Sequence, residues 1–289
     1  MGSILSFKKI NKRFGNILAL KNVSFDVPLN SIHGILGPNG SGKSTFMRIL
    51  SGLIKTYNGS IMLEGTEISK KSNKYLKSFG FMIEEPSFYE FLSAEENLKI
   101  FCRMLDCNFD SIEESLHRVD LFDWSKTKVK NFSYGMKQRL GIAQTILHNP
   151  DILILDEPNN GLDPKGISEM NKLIKSLQRE GKTICISTHI LKDVEQLCDT
   201  VTVLKKGQLI LNSSMKELLK KSDLINIRSR KITLVEEYLY KKGYNIVRKS
   251  DKTIVLKTKH EIQEVCSIIP GHIPISSITK DSGLTDIFL

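Results

Sequence analysis

The sequence lacks the features that mark membrane-spanning or secreted proteins. No apolar run approaches the roughly 20 residues that a transmembrane helix needs. The N-terminus has no basic region followed by an apolar signal core. The five cysteines are an odd number without a C-x-x-C pair, so neither a disulfide framework nor a zinc site is favoured. We therefore expect a cytoplasmic protein with reduced thiols.

Acidic residues are also in the minority. The 42 Lys and Arg exceed the 32 Asp and Glu by ten, a surplus that attracts phosphate, nucleic acid or an anionic membrane surface. A solvated basic surface explains the same surplus, so charge alone selects no partner. The 289 residues are otherwise ordinary, with 40% hydrophobic and 26% charged side chains. This composition is typical of a globular protein with one full domain and a smaller appendage.

Residues 1–212 alternate strand-like apolar runs with amphipathic helical stretches, which predicts an α/β domain with a largely parallel sheet. We expect buried strands at Ile32–Leu36, Ile152–Leu155 and Thr183–Ser187. Ligands of such sheets gather where the strands end at their carboxyl termini. The site should therefore be built from the residues that follow these strands.

Two segments depart from this alternation. Helical patterns dominate about residues 85–148, which indicates a helical insertion in the larger domain. The remaining residues, 213–289, predict a small second domain. Within it, residues 222–289 give strand, helix, strand, strand, helix, strand, which is the order of a ferredoxin-like α+β domain.

A phosphate-binding motif follows the first predicted strand and precedes a predicted helix at Thr45–Leu53. The motif fits G-x-x-x-x-G-K-[ST], whose glycines let backbone N–H groups and the helix N-terminus point at phosphates. Its lysine adds a point charge, and its last hydroxyl can bind Mg²⁺. The candidate nucleotide-binding residues here are Gly37, Pro38, Asn39, Gly40, Ser41, Gly42, Lys43, Ser44 and Thr45.

Two acids end the second predicted strand. Asp156 is placed to bind the magnesium together with Ser44, and Glu157 follows it, where it can face the γ-phosphate and activate water. A charged turn after a strand would have the same sequence, but the upstream phosphate loop favours the catalytic reading.

The segment Phe132-Ser133-Tyr134-Gly135-Met136-Lys137-Gln138-Arg139 resembles the signature of the ABC transporter ATP-binding family. Ser133 and Gly135 match that signature, whereas Tyr134 and Met136 depart from its commonest form. Farther along, Asn160-Gly161-Leu162-Asp163-Pro164 resembles the family's D-loop, and Ser187-Thr188-His189 resembles its switch histidine. Taken singly, Ser133 and Asp163 also suit helix caps.

The resemblance implies a P-loop fold of the ABC type that binds and hydrolyses ATP with Mg²⁺. It implies a head-to-tail homodimer, in which the phosphate loop, Asp156, Glu157 and His189 of one chain meet Ser133 and Gly135 of the other. Asp163 is also expected to contact the nucleotide. Phe14 matches the aromatic that stacks on adenine, although it also suits a core position in the first strand. Membrane permease subunits on separate chains would hold the protein at the inner face of the membrane.

Glu84 stands where most family members have glutamine, in Gly80-Phe81-Met82-Ile83-Glu84-Glu85-Pro86. A carboxylate there can still ligate Mg²⁺. Together with the run Tyr134–Ala143 and the C-terminal appendage, Glu84 resembles the subfamily that exports bacitracin and lantibiotics. The nearby aromatics Phe88, Tyr89 and Phe91 suit either a permease-docking surface or the core of the helical insertion.

Three other functions share part of this sequence pattern. An ABC exporter of another substrate would carry the same motifs. A soluble ABC ATPase acting on ribosomes or nucleic acid draws mild support from the basic surplus, but this chain has neither a second ATPase domain nor a long heptad insertion. A P-loop kinase would leave Ser133 and His189 without a role, so we expect phosphoryl transfer to water and not to a kinase substrate. No nucleic acid partner is expected.

Overall fold

A computed structural model describes residues 2–69, 74–271 and 273–288 of the protein. Contacts divide it into two compact units, Met1–Asn212 and Ser213–Leu289. No helix within these described ranges is long and apolar enough to cross a membrane.

An antiparallel sheet with the order β2-β1-β4-β5 begins the first unit. Its strands are β1 (Ser3–Phe14), β2 (Ile17–Pro28), β4 (Asn58–Leu63) and β5 (Thr66–Glu67). Strands β1 and β2 form a long hairpin in which Phe14 pairs with Ile17 beside the turn. The buried side of this sheet carries Phe7 and Phe25, which pack against Phe46 with ring centroids 4.5 Å and 5.1 Å away.

The second sheet of this unit has the order β10-β9-β3-β8-β7-β6 and sets the geometry of the site. Its strands are β3 (Ile32–Leu36), β6 (Phe79–Met82), β7 (Ile152–Asp156), β8 (Thr183–Thr188), β9 (Thr200–Lys205) and β10 (Gln208–Ser214). The pairs β3–β8, β3–β9, β7–β8 and β6–β7 are parallel. The loops after β3, β6, β7 and β8 therefore meet at one edge, which confirms the predicted α/β class.

The helices of the first unit cover this sheet and build the insertion. They are α1 (Lys43–Leu50), α2 (Ala94–Leu105), α3 (Asp110–Arg118), α4 (Tyr134–Ile146), α5 (Pro164–Arg179) and α6 (Leu191–Leu197). Ser93 begins α2 with a capping box in which its side chain and that of Glu96 bond each other's backbone N–H groups. Helices α2, α3 and α4 lie in the stretch for which a helical insertion was predicted.

Two local expectations need correction. The helix after the phosphate loop ends at Leu50 rather than at Leu53, because Gly52 adopts a left-handed φ of 75°. The expectation of reduced thiols is wrong for Cys102 and Cys107, which form a disulfide with their Cα atoms 5.1 Å apart. The left-handed turn at Asp106 brings the two residues together, which the spacing of the cysteines does not reveal.

The second unit is a four-stranded antiparallel sheet with helices on one face. Its elements are α7 (Met215–Lys221), β11 (Leu224–Ser229), α8 (Ile232–Lys241), β12 (Asn245–Lys249), β13 (Thr253–Lys257), α9 (Ile262–Ile268), β14 (Ile275–Lys280) and α10 (Leu284–Phe288). The sheet order β12-β13-β11-β14 is that of a ferredoxin-like fold. The core includes Ile227, Val235, Leu239, Leu256 and Val265. The predicted strand and helix order from β11 to β14 is confirmed.

Candidate functional site

The phosphate loop joins β3 to α1 and is packed too tightly for side chains at two of its glycines. Gly42 has a φ of 106°, and a Cβ added there would lie 2.7 Å from the carbonyl oxygen of Ala19. A Cβ at Gly37 would lie 2.5 Å from the carbonyl oxygen of Leu204. The hydroxyl of Ser41 is buried and has no hydrogen-bond partner among the described residues. The loop thus holds one buried hydroxyl that no described protein group satisfies, next to backbone that only glycine can occupy.

Lys43 opens α1 with its ammonium group turned toward the loop and the neighbouring strand. Its Nζ donates to the carbonyl of Gly37 at 2.9 Å and lies 3.6 Å from Oε1 of Glu157. The side chain is only 5% exposed, so its charge faces a narrow, partly dehydrated space. Such a cation suits the phosphates of a nucleotide.

A cavity of about 400 Å³ lies over this loop. One wall is the β1–β2 hairpin, and the other is the loop with the first turn of α1. The lining residues are Ile17, Leu18, Ala19, Asn39, Gly40, Gly42, Lys43, Ser44, Thr45, Glu157 and Lys206. An apolar wall facing a basic, N–H-rich wall has the composition expected for a nucleotide site.

Asp156 and Glu157 extend from β7 beside the end of β8. Asp156 pairs with Ser187 across the two strands, and the Ser187 hydroxyl donates to the Asp156 carboxylate. The backbone of Glu157 has a left-handed φ of 48°, and its N–H donates to the Ser187 carbonyl at 3.1 Å. His189 follows β8 and places Nδ1 3.1 Å from Oε2 of Glu157. The predicted acid, base and switch residues therefore meet at one place.

A second cavity, of about 280 Å³, connects these acids with the end of β6. Its lining residues are Ser44, Glu84, Glu85, Tyr134, Gln138, Asp156, Glu157 and Asn160. The described residues contain no cluster of three or more His, Cys, Asp or Glu able to hold a metal alone. A hydroxyl beside a carboxylate is nevertheless a fitting donor set for Mg²⁺, which keeps phosphate and water among its ligands. Ser44 and Asp156 therefore fit a magnesium ion that arrives with a nucleotide.

Glu84 lies on the rim of this second cavity in a left-handed conformation, with a φ of 64°. Its carboxylate forms an ion pair with Arg48 of α1. The side chain is 58% exposed, so it stays accessible to solvent or to a ligand in the cavity. Glu84 therefore lines the same cavity as Ser44 and Asp156, and its ion pair with Arg48 connects it to α1, the helix that begins with Lys43.

The signature and D-loop residues begin helices, as their capping potential predicted. Ser133 caps α4 by accepting the N–H of Met136 at 3.2 Å, and Asp163 caps α5 by accepting the N–H of Gly166 at 2.7 Å. Neither residue, nor Gly135, is among the described residues that line the two cavities. Within one chain, Ser133 and Asp163 therefore act as helix N-caps. Neither they nor Gly135 line the cavity over the phosphate loop.

Phe14 lies at the end of β1 and is not a core residue. Its side chain is 46% exposed, and the ammonium of Lys12 lies 4.6 Å from its ring centroid. Ile17, its strand partner across the hairpin, is 71% exposed and lines the 400 Å³ cavity. The exposed aromatic is thus carried by the same hairpin that forms one wall of that cavity.

The aromatics after β6 are also exposed, at 52% for Tyr89 and 66% for Phe91. Beside them is a groove of about 340 Å³. The groove is lined by Glu85, Pro86, Ser87, Phe88, Glu90, Val129, Tyr134, Lys137 and Gln138. This arrangement favours a docking surface over a core role for the exposed rings.

Two residues that line the cavities were not predicted from sequence motifs. Lys206, in the turn between β9 and β10, lines the 400 Å³ cavity, and the N–H of the adjacent Gly207 donates to the Ser41 carbonyl at 3.0 Å. Tyr134 was noted only as a departure from the signature, yet it lines the cavity that holds Ser44 and Asp156. A basic turn that ends in glycine was the available signal for Lys206, but many surface turns have that sequence.

Comparisons with known proteins identify the family of the chain. The sequence profile described as ABC transporter matches residues 20–160. The lantibiotic transport ATP-binding protein SrtF of Streptococcus pyogenes is 44% identical over 208 residues, which cover 72% of this chain and 90% of SrtF. The chain belongs to the ABC transporter family.

Other ABC transporter proteins extend the comparison. The bacitracin transport ATP-binding protein BcrA of Bacillus licheniformis is 43% identical over 212 residues, covering 73% of this chain and 69% of BcrA. The uncharacterized ABC transporter ATP-binding protein YcbN of Bacillus subtilis is 38% identical and matches 100% of this chain and 97% of its own length. A crystal structure of an ABC transporter's ATP-binding cassette in its ADP conformation superposes with a TM-score of 0.68 at 25% identity, covering 75% of this chain and 93% of that one. The predicted ABC fold and the ATP-binding role are confirmed.

Proposed function

We propose that this ABC transporter ATP-binding subunit hydrolyses ATP to power the export of a lantibiotic or bacitracin-like peptide, and so protects a bacterium from it. The observation that carries the ATPase part is the meeting of Lys43, Glu157 and His189 beside the phosphate loop. The peptide part rests on SrtF and BcrA, whose names specify lantibiotic and bacitracin transport.

In the proposed reaction the phosphate loop and Lys43 bind the phosphates of ATP, and Glu157 accepts a proton from the attacking water. A general base of this kind contributes about 10²- to 10⁴-fold in rate. His189, 3.1 Å from the Glu157 carboxylate, orients it toward the γ-phosphate. Bound Mg²⁺, held by Ser44, Asp156 and in part Glu84, would neutralise phosphate charge.

We assign the signature and D-loop residues to a second chain's nucleotide. Ser133, Gly135 and Asp163 stand apart from the cavities of their own chain's phosphate loop. The start of α4 nevertheless presents backbone N–H groups and a hydroxyl, which suit a phosphate. In a head-to-tail homodimer each of two nucleotides would lie between one chain's loop and the other chain's α4, so ATP would join the chains and hydrolysis would release them.

The groove beside Tyr89 and Phe91 is the proposed contact for permease subunits on separate chains. Exposed aromatics around a groove that also carries Glu90 and Lys137 suit a short amphipathic helix. This contact would hold the protein at the cytoplasmic face of the membrane. No role in binding nucleic acid is proposed.

The peptide proposal is tested by survival of the source organism on a panel of lantibiotics and bacitracin. Strains carry the wild-type chain or Glu157→Gln as their only copy, and Glu113→Gln, an exposed glutamate on α3, is the matched control. We expect Glu157→Gln to sensitise cells to one peptide while the control behaves as wild type. Equal survival of all strains on every peptide would refute the peptide substrate while leaving the ATPase proposal to its own test.

A further inference from the structure

One face of α4 is pressed against β6 and the loop that follows it. A Cβ added at Gly141 would lie 2.9 Å from Sδ of Met82 and 3.0 Å from Cβ of Pro86. A Cβ at Gly80 in β6 would lie 2.1 Å from the carbonyl oxygen of Thr145. Both glycines permit an approach that any larger residue would block, so α4 packs directly against this strand–loop segment.

Tyr134 and Gln138 continue that face toward the start of the helix, because residues four apart lie one above the other. The Tyr134 hydroxyl accepts a hydrogen bond from Nε2 of Gln138 at 2.9 Å and donates one to Oε1 of Glu85 at 3.3 Å. Burial raises the pKa of the Tyr134 phenol, so the hydroxyl keeps the proton that it donates. Gln138 is only 3% exposed, which fixes one end of this chain of bonds.

The ring of Tyr134 makes a separate contact with the loop after β7. Gly161 has a left-handed φ of 74°, and a Cβ there would lie 2.9 Å from Cε1 of Tyr134. A single side chain therefore contacts the segment after β6 through its hydroxyl and the segment after β7 through its ring. Glycine at this signature position, as in the commonest form, would make neither contact.

Tyr134 also stands between two spaces of the molecule. Tyr134, Gln138 and Glu85 line the cavity that contains Ser44 and Asp156, and the same three residues line the groove beside the exposed aromatics. They are the wall shared by the candidate catalytic cavity and the candidate permease groove.

We propose that Tyr134 is a positioning residue that holds the start of α4 against the loops after β6 and β7, so that Ser133 and Gly135 are correctly aimed at the partner chain's nucleotide. The inference rests on the proposed two-chain ATPase. The hydroxyl fixes the Glu85 loop, and the ring fixes the Gly161 loop. Tyr134 acts through its neighbours and does not itself bind the nucleotide of its own chain.

The test compares backbone hydrogen exchange in the wild-type protein, Tyr134→Phe and Tyr134→Ala. Removing the hydroxyl should speed exchange at Glu84 and Glu85 alone, whereas removing the ring should also speed it in residues 160–162. Tyr240→Phe, which removes the hydroxyl of a 63% exposed tyrosine, is the matched control and should change neither segment. Unchanged exchange at both loops in a folded Tyr134→Ala protein would overturn the proposal.

Steady-state kinetics supply a readout that separates positioning from binding. Tyr134→Phe removes the bond to the Glu85 carboxylate and the bond from Gln138. It should lower kcat at least about twofold and leave the Kd for ATP within about twofold. Glu85→Ala, which removes the acceptor, should do the same, and the double variant should be no slower than Tyr134→Phe alone. A matching rise in Kd, or fully additive losses, would overturn the positioning role. Wild-type protein without ATPase activity would refute the proposed function instead, while hydrogen exchange would still decide on Tyr134.

Discussion

The Nδ1 atom of His189 lies 3.1 Å from Oε2 of Glu157, while the Nζ atom of Lys43 lies 3.6 Å from the other oxygen of the same carboxylate. No described group makes a well-aligned hydrogen bond to that Nδ1. The imidazole is therefore near the proposed base without being locked to it. This relationship makes His189 the residue best placed to turn Glu157 toward or away from water.

Replacing His189 by alanine should slow hydrolysis at least about tenfold, because Glu157 loses its orienting neighbour. The Kd for ATP should stay within about threefold, since the phosphate loop and Lys43 are untouched. Phosphate release and fluorescent-nucleotide binding measure the two quantities. His117→Ala, an exposed histidine on α3, is the matched control. Wild-type turnover in His189→Ala would remove His189 from the mechanism.

Glu84→Gln should retain ATP binding while changing basal and permease-stimulated turnover, because it alters the charge beside Ser44 and Asp156. The variant also breaks the ion pair with Arg48, an exposed contact worth less than about 1 kcal/mol. Arg48→Met breaks the same pair and keeps the carboxylate, so it separates the two effects. If turnover with and without permease matches the wild type in Glu84→Gln, our account of residue 84 is wrong.

Lys206→Gln should raise the Kd for ATP about twofold to fivefold, the range for a partly exposed ionic contact. The reason is that Lys206 lines the cavity above the phosphate loop, on a turn bonded to Ser41. Lys206→Arg should keep wild-type affinity, and Lys165→Gln, at an 85% exposed lysine, should have no effect. Equal affinities in Lys206→Gln and Lys165→Gln, measured at low salt, would contradict a nucleotide contact.

His33, in the strand before the phosphate loop, should make stability depend on pH. Complete burial lowers the pKa of His33 to about 3. Its Nδ1 and Nε2 are hydrogen-bonded to Thr200 and Thr202 at 2.7 Å and 3.0 Å. The His33 imidazole is protonated near pH 6.5 in the unfolded chain but only near pH 3 in the folded chain. The free energy of unfolding therefore falls as the pH drops through this range.

The expected loss is about 1.4 kcal/mol in the free energy of unfolding for each pH unit below about 6.5, and nothing above it. Urea unfolding at pH 7.5 and pH 5.5 measures this loss. His33→Gln should lose that part of the pH dependence, whatever its effect on stability itself. An identical pH slope in both proteins would show that His33 does not cause it.

Most loops of the candidate site were predictable because strand ends and phosphate loops have strong local patterns. The strand Ile32–Leu36 has the bounds predicted from the sequence. Asp156 ends β7, and Glu157 and His189 directly follow the neighbouring strands β7 and β8. Helix ends were less certain. The glycine-driven end of α1 at Leu50 depends on backbone conformation at Gly52, which apolar periodicity does not encode.

Contacts between distant segments were not predictable from one sequence. Tyr134 departs from the commonest signature, and only the folded chain reveals that its ring lies on Gly161 and its hydroxyl on Glu85. The exposure of Phe14 likewise could not be separated from a core role, because an aromatic at a strand end suits both. Pairing of Cys102 with Cys107 required the turn between them.

The most direct test of the account is the behaviour of Glu157→Gln with ATP and magnesium. Light scattering follows assembly while phosphate release follows turnover. We predict at least about 100-fold slower hydrolysis with retained ATP binding. The dimer should persist as long as ATP is present, because the ATP that joins the two chains is no longer hydrolysed. Lys43→Ala, which weakens phosphate binding, should stay monomeric under the same conditions. Wild-type turnover in Glu157→Gln, or a monomer at saturating ATP, would contradict the two-chain ATPase.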